Sequence, residues 1–345
     1  MFSKLSLNTL LVLFSIITLL TISSCENDQP VCINPGIVAD PPYEDPIWHP
    51  SGNIIGFNHR PIKEVIFDSP IKGCKPLPAD FKYKEDSVGF WLINTDGTNK
   101  RRILPHKLQT PAWSPDGKWI AFVKNAQIFK MPFDGQKFDT TQIEQLTTEG
   151  RNFFPAWGPD GNKISFTQSN CSIGLPCGIW FKSLTTNISE PLGKYGDFST
   201  WNPNFNSLLY KTVALSESGK ILGDSLWIYS FSTNKRDLFK FYGLPSRDIQ
   251  QIKYSKTGSH IGFISNFSDG TGLHLCRIDS QGNNFKKFIN APINNFSWSP
   301  DGLKIVFQKD QGILSNQDDG TLWIMNTDGT NQKQLTYNSF VIMSN

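Results

Sequence analysis

Residues Trp113 to Gly117 read WSPDG, residues Trp298 to Gly302 repeat the same five letters, and Trp157 to Gly161 read WGPDG. Proline presets φ at the second position of a β-turn, aspartate is tolerated at the third, and glycine supplies positive φ at the exit. The phrase therefore predicts a turn joining two strands, and its aspartates are turn residues rather than catalytic ones. Behind the second copy, both alternating faces are apolar, with Trp119, Ala121 and Val123 on one side and Ile120 and Phe122 on the other. A strand of that kind belongs to a sheet covered on both faces.

Alignment on the phrase brings out worn copies, IWHPSGNIIGF from Ile47, TWNPNFNSLLY from Thr200 and KYSKTGSHIGF from Lys253. Six aromatic anchors result: Trp48, Trp113, Trp157, Trp201, Tyr254 and Trp298. Three of the five spacings are 44 residues, and the first and fourth are lengthened by insertions. Each copy carries a second apolar run, such as FWLINTDG from Phe90 or LWIMNTDG from Leu322, and then a short third one, such as Gln145-Leu146-Thr147 or Gln334-Leu335-Thr336. With the stretch ending in the anchor, this makes four short strands per unit, a to d. A unit of this length repeated six times is a four-stranded propeller blade. The predicted fold is all-β, a six-bladed β-propeller of four-stranded antiparallel blades.

The phrase Trp-Ser-Pro-Asp-Gly before an apolar strand, the Leu-Trp-Ile-Met strand ending in Asp-Gly, and the final Gln-Leu-Thr resemble the repeat of TolB-type six-bladed propellers. Propellers of prolyl-oligopeptidase-type enzymes are similar. The resemblance spans about residues 46 to 336. It implies a non-catalytic envelope module that binds proteins or peptidoglycan-associated lipoproteins. TolB-type proteins carry a globular domain ahead of the propeller, whereas only about twenty residues separate Cys25 from Asp45 here, so functions of that domain do not carry over.

The N-terminus has the plan of an export signal. Lys4 supplies positive charge, Leu10 to Leu20 an interrupted apolar core, and Ile22-Ser23-Ser24-Cys25 resembles the lipobox of bacterial lipoproteins. The expected organisation is a signal peptide over 1–24, a lipidated tether over 25–45 with the acyl chains on Cys25, and a propeller over 46–345. Acyl chains at Cys25 would anchor the protein to a membrane. Acidic Glu26 and Asp28 beside it leave the leaflet open, with the outer membrane favoured over the inner. Five cysteines remain. Cys171 with Cys177, and Cys32 with Cys74, are candidate disulfides, and Cys276 is expected as a buried thiol. No CxxC pair or histidine cluster supports a metal site. The net charge of +3, with 33 basic and 30 acidic residues, carries no footprint for nucleic acid.

Catalytic motifs are missing. There is no G-x-S-x-G elbow, H-E-x-x-H, Walker A or EF-hand loop, and the five histidines lie far apart. The sequence thus points away from an enzyme and implies no cofactor. In an antiparallel blade the a–b and c–d turns share one face of the disc, and the b–c and d–a loops share the other. The regular turns fall on the first face. The long segments 58–89, 168–178, 211–225 and 308–321 fall on the second, where recognition is expected. Tyr43, Arg151, Asn152, Asp197, Arg247, Asp248 and Asn294, on segments leading into the a strands, are the candidate binding residues. The alternative is a propeller that binds or cleaves a glycan in its central channel, which a ring of carboxylates, histidines and arginines would favour. The apolar tail Phe340 to Met343 is the candidate for a strand that closes the ring.

Overall fold

The quoted phrase does form a turn. In the computed structural model, which describes residues 37–38, 43–67, 78–170, 176–194, 196–215, 221–240, 248–267, 272–288, 293–309, 320–337 and 340–341, Ser114 N donates to Trp119 O at 2.9 Å. Asp116 Oδ1 accepts from Ser114 Oγ at 2.6 Å and from Lys118 N at 3.0 Å, and Gly117 lies at φ +70°. The turn at Ser299 to Gly302 repeats these bonds through Asp301. The second phrase, NTDGT, is also a self-contained turn: Asp96 and Asp328 each bind the N–H and hydroxyl of the threonine two residues on.

Six four-stranded antiparallel sheets follow, each with its strands in the order a-b-c-d; in blade 1 a separate hairpin, Ile62–Phe67 with Pro78–Tyr83, lies between b and c. Blade 1 comprises Tyr43–Trp48, Ile54–His59, Gly89–Asn94 and Arg101–Leu104. Blade 2 comprises Gln109–Trp113, Trp119–Lys124, Gln127–Pro132 and Glu144–Gln145. Blade 3 comprises Asn152–Trp157, Lys163–Gln168, Gly178–Ser183 and Ser189–Lys194. Blade 4 comprises Gly196–Trp201, Ser207–Leu215, Ile221–Ser230 and Lys235–Phe239. Blade 5 comprises Asp248–Tyr254, His260–Phe267, Gly272–Asp279 and Lys286–Lys287. Blade 6 comprises Ile293–Trp298, Lys304–Lys309, Leu322–Asn326 and Lys333–Gln334. The first blade thus starts at Tyr43, ahead of the boundary expected at residue 46.

The two apolar faces of each b strand serve different cores. Ile120 and Phe122 pack with Phe90, Leu92 and Leu104 of blade 1, whereas Ala121 and Val123 pack with Ile164, Phe166 and Trp180 of blade 3. Among the described residues there are six such clusters, one at each junction around the ring. Burial of each Ile, Leu or Phe in them contributes roughly 1.5–3 kcal/mol. The Gln-Leu-Thr run has a structural purpose as well: Thr147 Oγ1 accepts from Ile128 N and Thr336 Oγ1 from Leu322 N, both at 2.9 Å, which caps the start of strand c.

Anchor tryptophans staple neighbouring blades. The indole N–H of Trp157, Trp201 and Trp298 donates to the carbonyl of Ala112, Ala156 and Lys253 respectively, the residue just before the anchor of the preceding blade. Two anchors break the series: Trp48 Nε1 donates to Gly52 O of its own turn at 3.1 Å, and Trp113 Nε1 is buried with no hydrogen-bond partner. At that junction His49 crosses instead: its Nε2 meets Gly117 O at 3.0 Å and its ring lies against Trp113 and Phe133. Since Nδ1 accepts from Ser51 N, it is Nε2 that donates.

The described part of the tail, Phe340–Val341, does not add a strand to a blade. It pairs antiparallel with Ile37–Val38 in a separate two-stranded sheet. Blades 6 and 1 instead meet side by side. Trp48 N donates to Ser297 Oγ at 3.0 Å, Tyr43 N to Gly320 O at 2.8 Å, and Lys333 Nζ to Asp96 O at 2.9 Å. Among the described residues no helix is long and apolar enough to cross a membrane.

Candidate functional site

Strand a of each blade is innermost and meets the a strands of its neighbours, so its side chains line the central channel. Every a strand carries a register shift ahead of its anchor. In five blades the residue three positions before the anchor has left-handed φ: Asp45, Thr110, Phe154, Phe198 and Gln251. Asn295 holds that slot in blade 6. A β-bulge re-aims the side chain at the extra residue, and here it brings neighbouring slots into contact around the channel. Phe154 and Phe198 have ring centroids 4.5 Å apart, and Asn295 Nδ2 donates to Asp45 Oδ1 at 2.8 Å.

The two contacts divide the wall into unlike halves. On the side of blades 5, 6 and 1, Asp45, Asn58, Asn295 and Lys253 are joined by hydrogen bonds. Asp45 also accepts from Asn58 Nδ2 at 2.9 Å, and Asn58 holds Leu108 of blade 2 through both its amide groups. Lys253 Nζ donates to Asn295 Oδ1 at 3.0 Å and to Phe296 O. Burial lowers the Lys253 ammonium to about 8, against the opposing pull of Asp45. On the side of blades 3 and 4 the half-buried Phe154 and Phe198 form an aromatic floor, with Phe153 beside Phe154. Lys211 Nζ lies 5.3 Å over the Phe198 ring and 3.7 Å from Asp224 Oδ1. Burial pushes the Asp224 carboxyl upward, opposed by the N–H of Ile249 at 2.5 Å and by Lys211, and reinforced by Asp248.

The residues expected to form the binding face fare unequally. Arg151 is exposed, with its guanidinium 5.9 Å from the Phe153 ring, and Asp197 sits beside Phe198, accepting from Phe198 N and from Thr167 Oγ1. Asp248 is exposed at the start of strand a of blade 5. Tyr43 and Asn152 are corrections, for both are only 2% exposed. Tyr43 stacks on His59 and receives Lys100 Nζ, while Asn152 Nδ2 donates to Gln127 Oε1 and Glu149 O. Their polar groups are spent on neighbouring segments, so neither reaches an open face. Asn294 lies on strand a of blade 6. Arg247, Cys25, Cys32, Cys74 and Cys171 lie outside the described residues. Cys177 is disulfide-bonded, and Cys276 is a free thiol that burial pushes up to about 12. The slot three residues before each anchor was not singled out from the sequence, although its fixed offset is a signal that could have found it. Among the described residues no group of three or more His, Cys, Asp or Glu is arranged to hold a metal ion.

No protein-family model matches the chain, and no curated protein matches it. Solved structures do. TolB from Acinetobacter baumannii is 21% identical with a TM-score of 0.56, over 74% of this chain and 60% of that one, so this chain spans about three-fifths of its length. A TolB-type structure from Agrobacterium tumefaciens is 17% identical with a TM-score of 0.56, over 71% and 87% of the two chains. An oligogalacturonate lyase in complex with manganese is 10% identical with a TM-score of 0.51, over 86% and 77%. At these identities the likeness is one of fold, a TolB-like six-bladed propeller.

Proposed function

We propose that this chain is a non-catalytic, lipid-anchored propeller of the cell envelope that binds protein partners at its long-loop face, held to the membrane through acyl chains on Cys25. The observation that carries the reading is the channel wall. Its six bulge slots hold one carboxylate, no histidine and no arginine, and that carboxylate, Asp45, is tied to Asn58 and Asn295, with Lys253 bound to Asn295 in turn. What the wall offers a ligand is the aromatic pair Phe154 and Phe198, flanked by Arg151, Asp197 and Lys211. Aromatic and arginine side chains are the usual anchors of protein interfaces. The fold shared with TolB supports the same class of partner, envelope proteins or peptidoglycan-associated lipoproteins, and the export signal with its lipobox-like Cys25 supports the envelope.

The test is crosslinking in living cells with an affinity tag after Asn345, comparing wild type with the F154A/F198A double variant. A discrete protein set captured by the first and lost by the second, at unchanged urea midpoint, is the expected result. Capture of glycan alone, or of the same proteins by both, overturns the reading; the former moves the function to the saccharide alternative.

A further inference from the structure

The outer edge of a blade is a row of unpaired backbone groups, and sequences blunt such edges with short strands, with charged side chains, lysine above all, or with proline. Five of the six outermost strands here carry a basic residue or a proline. Blade 1 carries Arg101 and Arg102, blade 3 carries Pro191, blade 4 Lys235 and Arg236, blade 5 Lys286 and Lys287, and blade 6 Lys333. Blade 2 has only Glu144 and Gln145. The charge of Glu144 is already answered by Lys130 at 3.1 Å, whose ammonium lies 4.0 Å over the Trp119 ring.

Register fixes which way this strand presents its backbone. Leu146 N donates inward to Ile128 O at 2.8 Å, and Gln145 pairs with Phe129. Alternation along an antiparallel ladder then turns the N–H and C=O of Gln145 outward. Beside it a cavity of about 440 Å³ opens toward the c–d turn of blade 3, lined by Lys130, Glu144, Gln145, Leu146, Leu184 and Asn187. Leu146 and Leu184 are the outer end of the core between blades 2 and 3. Ile143 and Ile188, which adjoin the lining residues Glu144 and Asn187 in sequence, are 37% and 54% exposed, two large apolar side chains left in water.

We propose that the outer edge of blade 2 is a strand-addition site for an extended segment of a partner protein. The segment pairs through its backbone with Gln145 and places one apolar side chain in the cavity over Leu146 and Leu184. An extended polypeptide is the ligand that offers both a donor and an acceptor to an open ladder together with a side chain directed into the adjoining hole. The Lys130–Glu144 pair is self-neutralised, so the site asks for an uncharged central residue. This rim lies apart from the channel mouth, and the inference does not rest on the function proposed above.

The test uses the full chain and amide NMR with a probe peptide, acetyl-Ser-Thr-Thr-Leu-Thr-Thr-Ser-amide, against the same peptide with aspartate at its centre. Shifts at Glu144, Gln145, Leu146 and Leu184 are expected for the leucine peptide, with affinity about tenfold weaker for the aspartate one. They should vanish in Gln145→Pro, which removes the outward N–H together with the Gln145 Nε2 bond to Thr147 O, and in the I143K/Q145K double variant, which copies the basic residues of the other edges. Should Gln145→Pro fail to fold, the lysine variant carries the comparison. No shift at about 5 mM peptide, shifts elsewhere, or shifts that survive both substitutions overturn the proposal. Concentration-dependent broadening of the same amides without peptide also overturns it, by making a second copy the occupant.

Discussion

The broken indole series allows one substitution to be compared at matched sites. Trp113 and Trp201 are both 7% exposed, so Trp→Phe removes similar apolar contact from each. Their polar consequences are opposite. W201F deletes a 3.0 Å bond to Ala156 O, and the hydroxyl of Ser165 at 3.4 Å is a poor replacement. A hydrogen bond contributes about 1 kcal/mol net, and a buried group stripped of its partner costs roughly 1–3 kcal/mol. W113F deletes an N–H that is buried without a partner, and so relieves a penalty of that kind. W201F should therefore be less stable than W113F by about 2 kcal/mol. W298F, which loses its bond to Lys253 O, should side with W201F. Urea unfolding followed by far-UV circular dichroism, which does not depend on the residue removed, reads the difference as a gap between midpoints. Equal midpoints for W113F and W201F, or a larger loss in W113F, would refute the assignment of the indoles as staples.

Three further outcomes follow from the same junctions. Gly117→Ala should destabilise more than Gly52→Ala: both glycines have positive φ, costing an alanine about 1 kcal/mol, but only at Gly117 does a Cβ fall 2.6 Å from His49 Nε2, while at Gly52 nothing lies within 4 Å. His49 is held below its usual 6.5 by burial, so the unfolded chain binds more protons as pH falls through that value; wild type should lose thermal stability below pH 6.5 relative to His49→Gln, and parallel pH profiles would count against the crossing bond. Lys253 lies at about 8 in the fold against 10.5, so the unfolded chain holds the extra proton between those values and stability should rise with pH across them. The rise is at most about 3 kcal/mol and should be absent from Lys253→Met; taking the difference between the two proteins removes Cys276, whose raised value acts with opposite sign above pH 9.

The ring was legible because its repeat is written in residues with strong local preferences. Pro115, Asp116 and Gly117 make a turn through their own backbone and side-chain chemistry, and the doubly apolar strand behind them requires a neighbour on each side. Thr147 and Thr336 were visible as a motif, but that they cap strand c was not, since the bond spans two strands. The binding residues were harder. Tyr43 and Asn152 stand where the chain enters an a strand, and polar residues there look like a loop-borne face. Their burial comes from what other segments do, Gly320 over Tyr43 and Gln127 and Glu149 around Asn152. The tail Phe340 to Met343 is apolar enough to enter a blade, yet each blade already has four strands from its own repeat, which leaves Phe340–Val341 free to pair with Ile37–Val38.

That self-sufficiency explains where the costly polar groups sit. Among the described residues no strand is shared between the last blade and the first, so beside the backbone bond from Tyr43 N to Gly320 O it is side chains that must hold the ring shut there. Asp45, Asn58, Asn295 and Lys253 do so in a chain of hydrogen bonds reaching from blade 5 to Leu108 of blade 2. A lysine with a depressed pKa is destabilising by itself. It is tolerated because deleting one member of a satisfied buried network costs more than keeping it. Blades 3 and 4 stand away from this closure, and the seams beside them are stapled by Trp157 and Trp201. Their bulge slots are released from structural duty, and there the channel holds phenylalanines in place of amides. Charging one of those slots by Phe198→Asp should abolish partner capture while sparing the ring, whereas Asn295→Ala should open the ring and lose capture only through unfolding.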